Sequence, residues 1–271
     1  MKQIPNFFTL LNLLLGCIAI VFILQTGETI VQLDATGASQ VYLPEKIWWG
    51  ALCIYAAAAV DFLDGFLARL LKASSGMGKQ LDSLSDIVSF GVAPAMIIYQ
   101  LLRIGYAQET YGLDISIIVL FPAFIYPGAV AWRLARFNIS PEQGSGFTGV
   151  PSPATGLLIA SFPLIMLFSQ FNLQSYFINP YILYAILLLV SYLLVCKRQF
   201  IALKFTSYAV KDNQVTYLLL LVSVVLMLWL KWLSVPVIFV LYLLASAFSK
   251  TKKGVPTSYR EDQNSVTSSP S

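Results

Sequence analysis

Eight apolar stretches divide this chain, and each is about long enough to cross the roughly 30 Å of membrane hydrocarbon as a helix. Hydrophobic residues make up 58% of the sequence and charged residues only 11%, whereas roughly a quarter of the residues in a soluble domain are charged. These features predict an all-α polytopic membrane protein with eight transmembrane helices. The stretches are residues 7–25, 47–68, 86–104, 115–133, 153–171, 178–196, 215–230 and 233–248.

The basic residues are distributed unevenly along the chain. If both termini are placed in the cytoplasm, 14 of the 17 Lys and Arg residues lie on the cytoplasmic side. Only Lys46, Arg103 and Lys231 lie outside. Cytoplasmic loops of membrane proteins carry an excess of Lys and Arg. The sequence therefore predicts a protein of the inner (cytoplasmic) membrane with both termini on the cytoplasmic side.

The chain divides into one membrane domain and one polar tail. Residues 1–250 form the predicted transmembrane domain, whose last two apolar stretches also fit a single hydrophobic region. Residues 251–271 have too little apolar surface to fold and are predicted to be a disordered cytoplasmic tail. The net charge of +4 comes without a basic patch interleaved with exposed aromatics, so we expect membrane lipids and no nucleic acid as partners.

Histidine is absent from the sequence. This absence excludes Ser-His-Asp and Cys-His catalysis as well as imidazole metal ligands. The three cysteines, Cys17, Cys53 and Cys196, lie far apart inside apolar stretches and lack metal-ligand spacing, so they are predicted to be packing residues. Carboxylates must then carry any acid-base chemistry.

Four aspartates lie close together in sequence, where the second apolar stretch ends and the third begins. Asp61 and Asp64 are three residues apart, and Asp82 and Asp86 are four apart, so each pair shares one helix face. An ionised carboxylate near hydrocarbon costs a few kcal/mol or more unless it is paired or solvated. Because carboxylate oxygens suit hard cations, the pattern predicts a Mg²⁺ or Mn²⁺ site at the cytoplasmic ends of two antiparallel helices.

Residues beside the aspartates favour a phosphate-containing ligand. Gly65 and Gly78 leave room for a bulky anion to approach the backbone, and Arg69 offers a fork of donors for phosphate. Two metal ions and an arginine suit a diphosphate. Helix-end charges that only cap and snorkel are the alternative interpretation for any single aspartate.

The pattern of aspartates, glycines, alanine and arginine resembles the signature of the CDP-alcohol phosphatidyltransferase family. The resemblance implies a helical membrane enzyme that moves a phosphatidyl group from CDP-diacylglycerol to a small alcohol and releases CMP. It implies that two divalent ions are held by the four aspartates, that Asp86 is also the base for the acceptor hydroxyl, and that the enzyme is a homodimer. Gly65, Ala68, Arg69 and Gly78 would hold the CDP-lipid. The matching residues are Asp61, Asp64, Gly65, Ala68, Arg69, Gly78, Asp82 and Asp86.

Other segments are similar to those of the family's serine-transferring members. They lie at residues 4–16, 133–138 and 147–154, and they make L-serine the expected acceptor. Arg133, Arg136 and Asn138 are the predicted acceptor-binding residues, although the arginines also fit lipid-phosphate anchors. Thr9 and Asn12 are predicted to help close the CDP-lipid pocket, with polar helix packing as the alternative.

Two alternative functions remain at this stage. The same chemistry with glycerol 3-phosphate, inositol phosphate or choline as acceptor is one. An ion transporter is the other, because intramembrane carboxylates often mark cation pathways. The four aspartates lie toward one membrane face, and the third apolar stretch is almost wholly apolar beyond them, which disfavours transport.

Overall fold

The structure is a computed structural model of the chain. It describes residues 4–25, 31–33, 39–41, 46–71, 75–108, 116–139, 147–168, 173–200 and 214–248. The predicted disordered tail, 251–271, lies outside the described residues, as do 8 of the 14 basic residues assigned to the cytoplasmic side.

Helices make up most of the described part of the chain. Ten are α-helices, and a π-helix and two 3-10 helices are continuous with some of them. The α-helices are α1 (Ile4–Leu24), α2 (Ile47–Leu70), α3 (Gly76–Asp86), α4 (Ala93–Ala107), α5 (Ile125–Ile139), α6 (Ser152–Phe168), α7 (Gln174–Phe177), α8 (Pro180–Val195), α9 (Gln214–Leu230) and α10 (Ser234–Phe248). The π-helix is Ile87–Val92, and the 3-10 helices are Ile117–Phe124 and Lys231–Leu233.

Two small antiparallel sheets accompany the helices. Strand β1 (Val31–Leu33) pairs with β2 (Ser39–Val41), and β3 (Phe147–Thr148) pairs with β4 (Gln199–Phe200). Beside the second sheet, Gly149 has a φ of 78° and its N–H donates to the carbonyl of Arg198. A left-handed backbone of this kind suits glycine. The sheet therefore ties the chain just before α6 to the chain just after α8.

Each of the eight predicted stretches carries a helix, but the helices differ in length. Among the described residues, five segments are long and apolar enough to cross a membrane, and one of them, Leu220–Ala247, includes most of both α9 and α10. Helices α6 and α8 are apolar but have only 17 and 16 residues. The helical membrane character is confirmed, with the two small sheets as an addition that the sequence did not predict, while the count of eight crossings stays a prediction.

The third predicted helix begins earlier than expected and changes its winding. It starts at Gly76 rather than near residue 86, so Asp82 and Asp86 lie inside a helix that continues to Ala107. Its π-helical section follows Asp86 directly. Pro94 has no N–H for the carbonyl of Phe90, and its ring crowds that carbonyl, which favours the wider turn.

Contacts between helix ends show which ends lie together at one side of the bundle. The start of α1 contacts the end of α2 and the end of α3, and the end of α5 contacts the start of α6. Arg198, just after α8, donates to a carbonyl near the end of α10. We call this side the acidic end, because Asp61, Asp64 and Asp82 lie there.

Close packing of α1 against the π-helix depends on Gly16. A Cβ atom at this position would lie 2.9 Å from the Cα atom of Ser89 and also overlap its hydroxyl oxygen. Contacts of this length do not occur without backbone movement. In lipid, small residues at helix interfaces allow the close approach that van der Waals attraction requires.

We expect Gly16→Ala to destabilise the protein by about 1–3 kcal/mol, because the added methyl group forces α1 away from the π-helix. The measurement is thermal unfolding of purified protein in detergent. Gly128→Ala is the matched control, since nothing lies within 4 Å of a Cβ atom at Gly128. Equal unfolding temperatures for the two variants would contradict the prediction.

Candidate active site

Three carboxylates meet at the acidic end of the bundle. Asp61 and Asp64 come from the last turns of α2 and Asp82 from α3, and one oxygen atom of each lies within 4.8 Å of the others. The side chains of Asp61 and Asp82 are in direct contact. The predicted meeting of the two helix faces is therefore present in the structure.

Asp86 lies one helical turn beyond Asp82, where α3 passes into the π-helix. It is 7% exposed and close enough to interact electrostatically with the other three aspartates. It is not part of the three-oxygen cluster. The structure thus gathers three of the four predicted ligands tightly and places the fourth beside them, deeper in the bundle.

Two polar residues of α1 contact the aspartates. The Thr9 hydroxyl lies 2.9 Å from a carboxylate oxygen of Asp64 and 3.1 Å from the carbonyl of Pro5, and its single proton can be donated to only one of them at a time. The Asn12 amide donates to Asp86 across a long 3.5 Å contact. Both residues were predicted to line the CDP-lipid pocket; here they contact the carboxylates themselves.

The backbone of the same two residues is held by serines. Ser85 donates to the carbonyl of Thr9 at 3.0 Å, and Ser89 donates to the carbonyl of Asn12 at 2.9 Å. The two serines were missed in the sequence analysis. Their signal was available, since they continue the stripe of Asp82 and Asp86 at helical spacing.

The predicted CDP-lipid residues border the cluster on its exposed side. A Cβ atom at Gly65 would meet nothing within 4 Å, so the backbone beside Asp64 is open to a ligand. Arg69 is exposed, and its Nε donates to the carbonyl of Gly65 at 2.8 Å. Ala68 is half-buried beside it.

Gly78 lies in the first turn of α3. Its N–H donates to the Ser75 hydroxyl at 2.9 Å, which caps the helix. A Cβ atom there would lie 3.0 Å from both the Asn6 side-chain oxygen and the Ser75 hydroxyl. A larger side chain would therefore crowd the gap between α1 and α3.

Arg133 is a predicted acceptor residue whose charge interacts with one of the aspartates, Asp86. It is 9% exposed, its Nη1 donates to the Ser152 hydroxyl at 3.3 Å, and its charge interacts with that of Asp86. Within the described part of the chain, its Nε has no hydrogen-bond partner. A buried guanidinium with an unsatisfied donor is ready to bind an anionic group.

Arg136 and Asn138 have different surroundings from Arg133. Arg136 donates to the carbonyl of Val195 at 2.8 Å, which ties α5 to α8. The Asn138 amide donates to the Ser83 hydroxyl at 2.8 Å, which ties α5 to α3. The structure brings these two residues near the acidic end but engages them in contacts between helices.

The donor set of the cluster fits a hard divalent cation. Asp61, Asp64 and Asp82 offer closely spaced oxygen ligands, and no nitrogen or sulfur ligand joins them among the described residues. Mg²⁺ and Mn²⁺ prefer this chemistry.

The family of this chain follows from its sequence as well as from this geometry. The sequence model of the CDP-alcohol phosphatidyltransferase family matches residues 2–196. The chain belongs to the CDP-alcohol phosphatidyltransferase family. It is therefore an integral membrane protein, and α9 and α10 lie beyond the matched region.

Several curated relatives match a part of the chain. A CDP-diacylglycerol–serine O-phosphatidyltransferase of Helicobacter pylori is 31% identical over 68% of this chain and 68% of its own length. The Bacillus subtilis protein of the same name is 33% identical over 58% of this chain and 77% of its own length. The archaetidylserine synthase of Methanothermobacter thermautotrophicus is 37% identical over 45% of this chain and 50% of its own length. The matches thus span between about half and three quarters of these relatives.

We expect Thr9→Val to weaken Mn²⁺ binding by about 10- to 100-fold, because Asp64 loses the hydroxyl that orients it while the shape of the side chain is kept. Electron paramagnetic resonance of free Mn²⁺ in titrations of the purified protein measures the affinity.

Two further variants serve as controls for the Mn²⁺ titration. Asp82→Asn removes a ligand and should abolish binding at the same site. Ser161→Ala removes another buried hydroxyl, which donates to the carbonyl of Leu158 within α6, and should leave the affinity unchanged. A Thr9→Val affinity equal to that of Ser161→Ala would overturn the prediction.

Proposed function

We propose that this chain transfers the phosphatidyl group of CDP-diacylglycerol to L-serine, giving phosphatidylserine and CMP. The observation that carries the proposal is the cluster of three carboxylates beside a buried arginine with an unsatisfied donor. The names of the relatives, two of which are serine phosphatidyltransferases, support the same acceptor.

Asp61, Asp64 and Asp82 would hold Mg²⁺ or Mn²⁺, with Asp86 completing a site for two ions. Bound divalent ions would neutralise charge on the phosphoryl oxygens and orient the leaving CMP. The position of Asp61 and Asp82 in direct contact supports this role, because two carboxylates in contact are stable when a cation lies between or beside them.

Asp86 would accept the proton of the serine hydroxyl. The hydroxyl oxygen forms a bond to the phosphorus that carries the diacylglycerol, the bond from this phosphorus to the CMP oxygen breaks, and the proton passes to Asp86. Its buried place beside the cluster and near Arg133 supports the assignment. Since the chain has no histidine, a direct displacement is favoured over a phosphoenzyme.

The CDP-lipid would approach from the exposed side of the cluster. Open backbone at Gly65 and the small side chain of Ala68 leave room for the nucleotide, and Arg69 supplies positive charge. Gly78 keeps the gap to α1 open on the opposite side. In this arrangement the diphosphate would face the carboxylates that hold the metal ions, and the acyl chains would extend into the membrane.

Arg133 would bind the serine carboxylate. Its buried guanidinium has one donor without a partner among the described residues, and it is near the proposed base, so a carboxylate there holds the serine hydroxyl close to Asp86. Arg136 and Asn138, which the sequence analysis also assigned to the acceptor, would act by fixing the end of α5.

Eight membrane crossings with a cytoplasmic active site are part of the proposal. Alternate helix ends meet at the acidic end, and the described basic residues divide in the same way. Arg69, Lys79, Arg133, Arg136, Lys197 and Arg198 belong to that end, whereas Lys46, Arg103 and Lys231 belong to helix ends on the other side. The positive-inside rule then supports a cytoplasmic acidic end. A homodimer is proposed on the family resemblance.

The first experiment is CMP release by the purified protein in detergent with CDP-diacylglycerol and Mg²⁺ or Mn²⁺. We expect release that depends on L-serine and is absent with glycerol 3-phosphate, inositol phosphate or no acceptor. The Asp86→Asn variant should keep much of its CDP-lipid binding and lose about 10²- to 10⁴-fold in turnover, because the shape is kept while the base is lost. Release with a different alcohol would replace the proposed acceptor, and no release would refute the activity.

Arg133→Lys should raise the KM for serine at least about tenfold, because a lysine cannot offer the same fork of donors. The KM for CDP-diacylglycerol should change little. Arg136→Lys is the informative comparison, since the two arginines lie three residues apart on α5; we expect it to alter the serine KM much less. An equal effect of both variants would count against Arg133 as the carboxylate-binding residue.

A further inference from the structure

A tyrosine hydroxyl replaces a backbone hydrogen bond that is missing from the helix that carries Asp86. In an α-helix the N–H of residue 94 would donate to the carbonyl of Phe90, but Pro94 has no N–H. The Tyr126 hydroxyl, on α5, lies 2.8 Å from this carbonyl oxygen. Tyr126 is fully buried, so the bond is shielded from water.

The same hydroxyl continues into a chain of polar contacts. It lies 2.8 Å from the Thr155 hydroxyl, which is also 3.0 Å from the carbonyl of Ser152. A tyrosine hydroxyl has one proton. Because the Phe90 carbonyl lacks its α-helical donor, we assign the tyrosine proton to it. The single proton of Thr155 is then donated to the Ser152 carbonyl or to the Tyr126 oxygen.

Tyr126 and Arg133 act from one face of the same helix. They are seven residues apart on α5, which places them two turns apart on the same side. Arg133 donates to the Ser152 hydroxyl, so both residues also reach the first turn of α6. Helix α5 therefore contacts the π-helix through Tyr126 and lies near Asp86 through Arg133.

The π-helix determines where Asp86 points. A residue inserted by a wider turn rotates the two flanking helical sections by about 100° relative to each other. Asp86 is the last residue of α3 and precedes the π-helix directly. Loss of the wide turn would rotate α3 relative to α4 and move Asp86 relative to Arg133.

We propose that Tyr126 is a positioning residue for Asp86. By holding the Phe90 carbonyl it keeps the π-helical turn in place, and this turn sets the direction of Asp86 toward the metal-binding aspartates and Arg133. The inference rests on the proposed phosphatidyl transfer, but it concerns a residue that touches neither substrate nor metal.

The test compares Tyr126→Phe with Tyr184→Phe. Tyr184 is a matched control, because its hydroxyl also donates to a backbone carbonyl, that of Val119, and contacts a second hydroxyl, that of Tyr106. It lies near the start of α8, away from the acidic end. Both variants remove one hydroxyl and should lower the unfolding temperature.

Only Tyr126→Phe should slow the transfer reaction. We expect its kcat to fall roughly tenfold to a hundredfold, as small misplacements of a catalytic group do. Its KM for CDP-diacylglycerol should stay within twofold, while Tyr184→Phe should keep its kcat within twofold, both estimates following from the absence of substrate contact. Equal kcat values for the two variants would refute the positioning role.

A second measurement does not require activity. Pro94→Ala restores an N–H for the Phe90 carbonyl, so Tyr126→Phe should lower the unfolding temperature less in this background than in the natural sequence. Additive effects of the two substitutions would refute the link between Tyr126 and the π-helix.

Metal binding separates failure of this inference from failure of the proposed reaction. If the natural sequence releases no CMP, Mn²⁺ affinity still decides: a severalfold loss in Tyr126→Phe but not in Tyr184→Phe supports positioning of the aspartates. Unchanged affinity in both variants would refute it.

Discussion

The surrounding structure has to hold several carboxylates close together inside an apolar helix bundle. Three oxygens within 4.8 Å repel one another and are costly to remove from water. Thr9 and Asn12 approach from α1, and Arg133 approaches from α5. Four helices are thereby tied to one point, and a divalent cation would supply the remaining positive charge.

Small and hydroxyl-bearing residues make this convergence possible. Between helices in lipid there is no hydrophobic driving force, so close packing and hydrogen bonds hold the helices together. Gly16 brings α1 against Ser89, and the serine then donates to the carbonyl of Asn12. Gly16 and Ser89 thus face each other where α1 meets the π-helix. The bond from Ser89 holds the backbone of Asn12 in a position from which its side chain reaches Asp86.

The sequence predicted the membrane class, the approximate helix positions and the meeting of the aspartates, because apolar length and helical spacing are local properties. It did not predict the π-helix, although Pro94 was visible, since a proline in a helix has several outcomes and Tyr126 lies on a different helix. The separate surroundings of Arg133 and Arg136 were also hidden. Two arginines three residues apart look equivalent in sequence until neighbouring helices give them different partners, Ser152 for Arg133 and the Val195 carbonyl for Arg136.

The order of residues along the chain has a consequence for assembly of the site during synthesis. A chain emerges from its N terminus onward, so Thr9 and Asn12 are already available when Asp64 and Asp86 are made. The carboxylates first meet neutral donors. Arg133 and the serine that holds it, Ser152, follow much later. The acidic site therefore gains its buried arginine, held by Ser152, only after α6 has been made, so the later helices complete the protein's own contribution to the site.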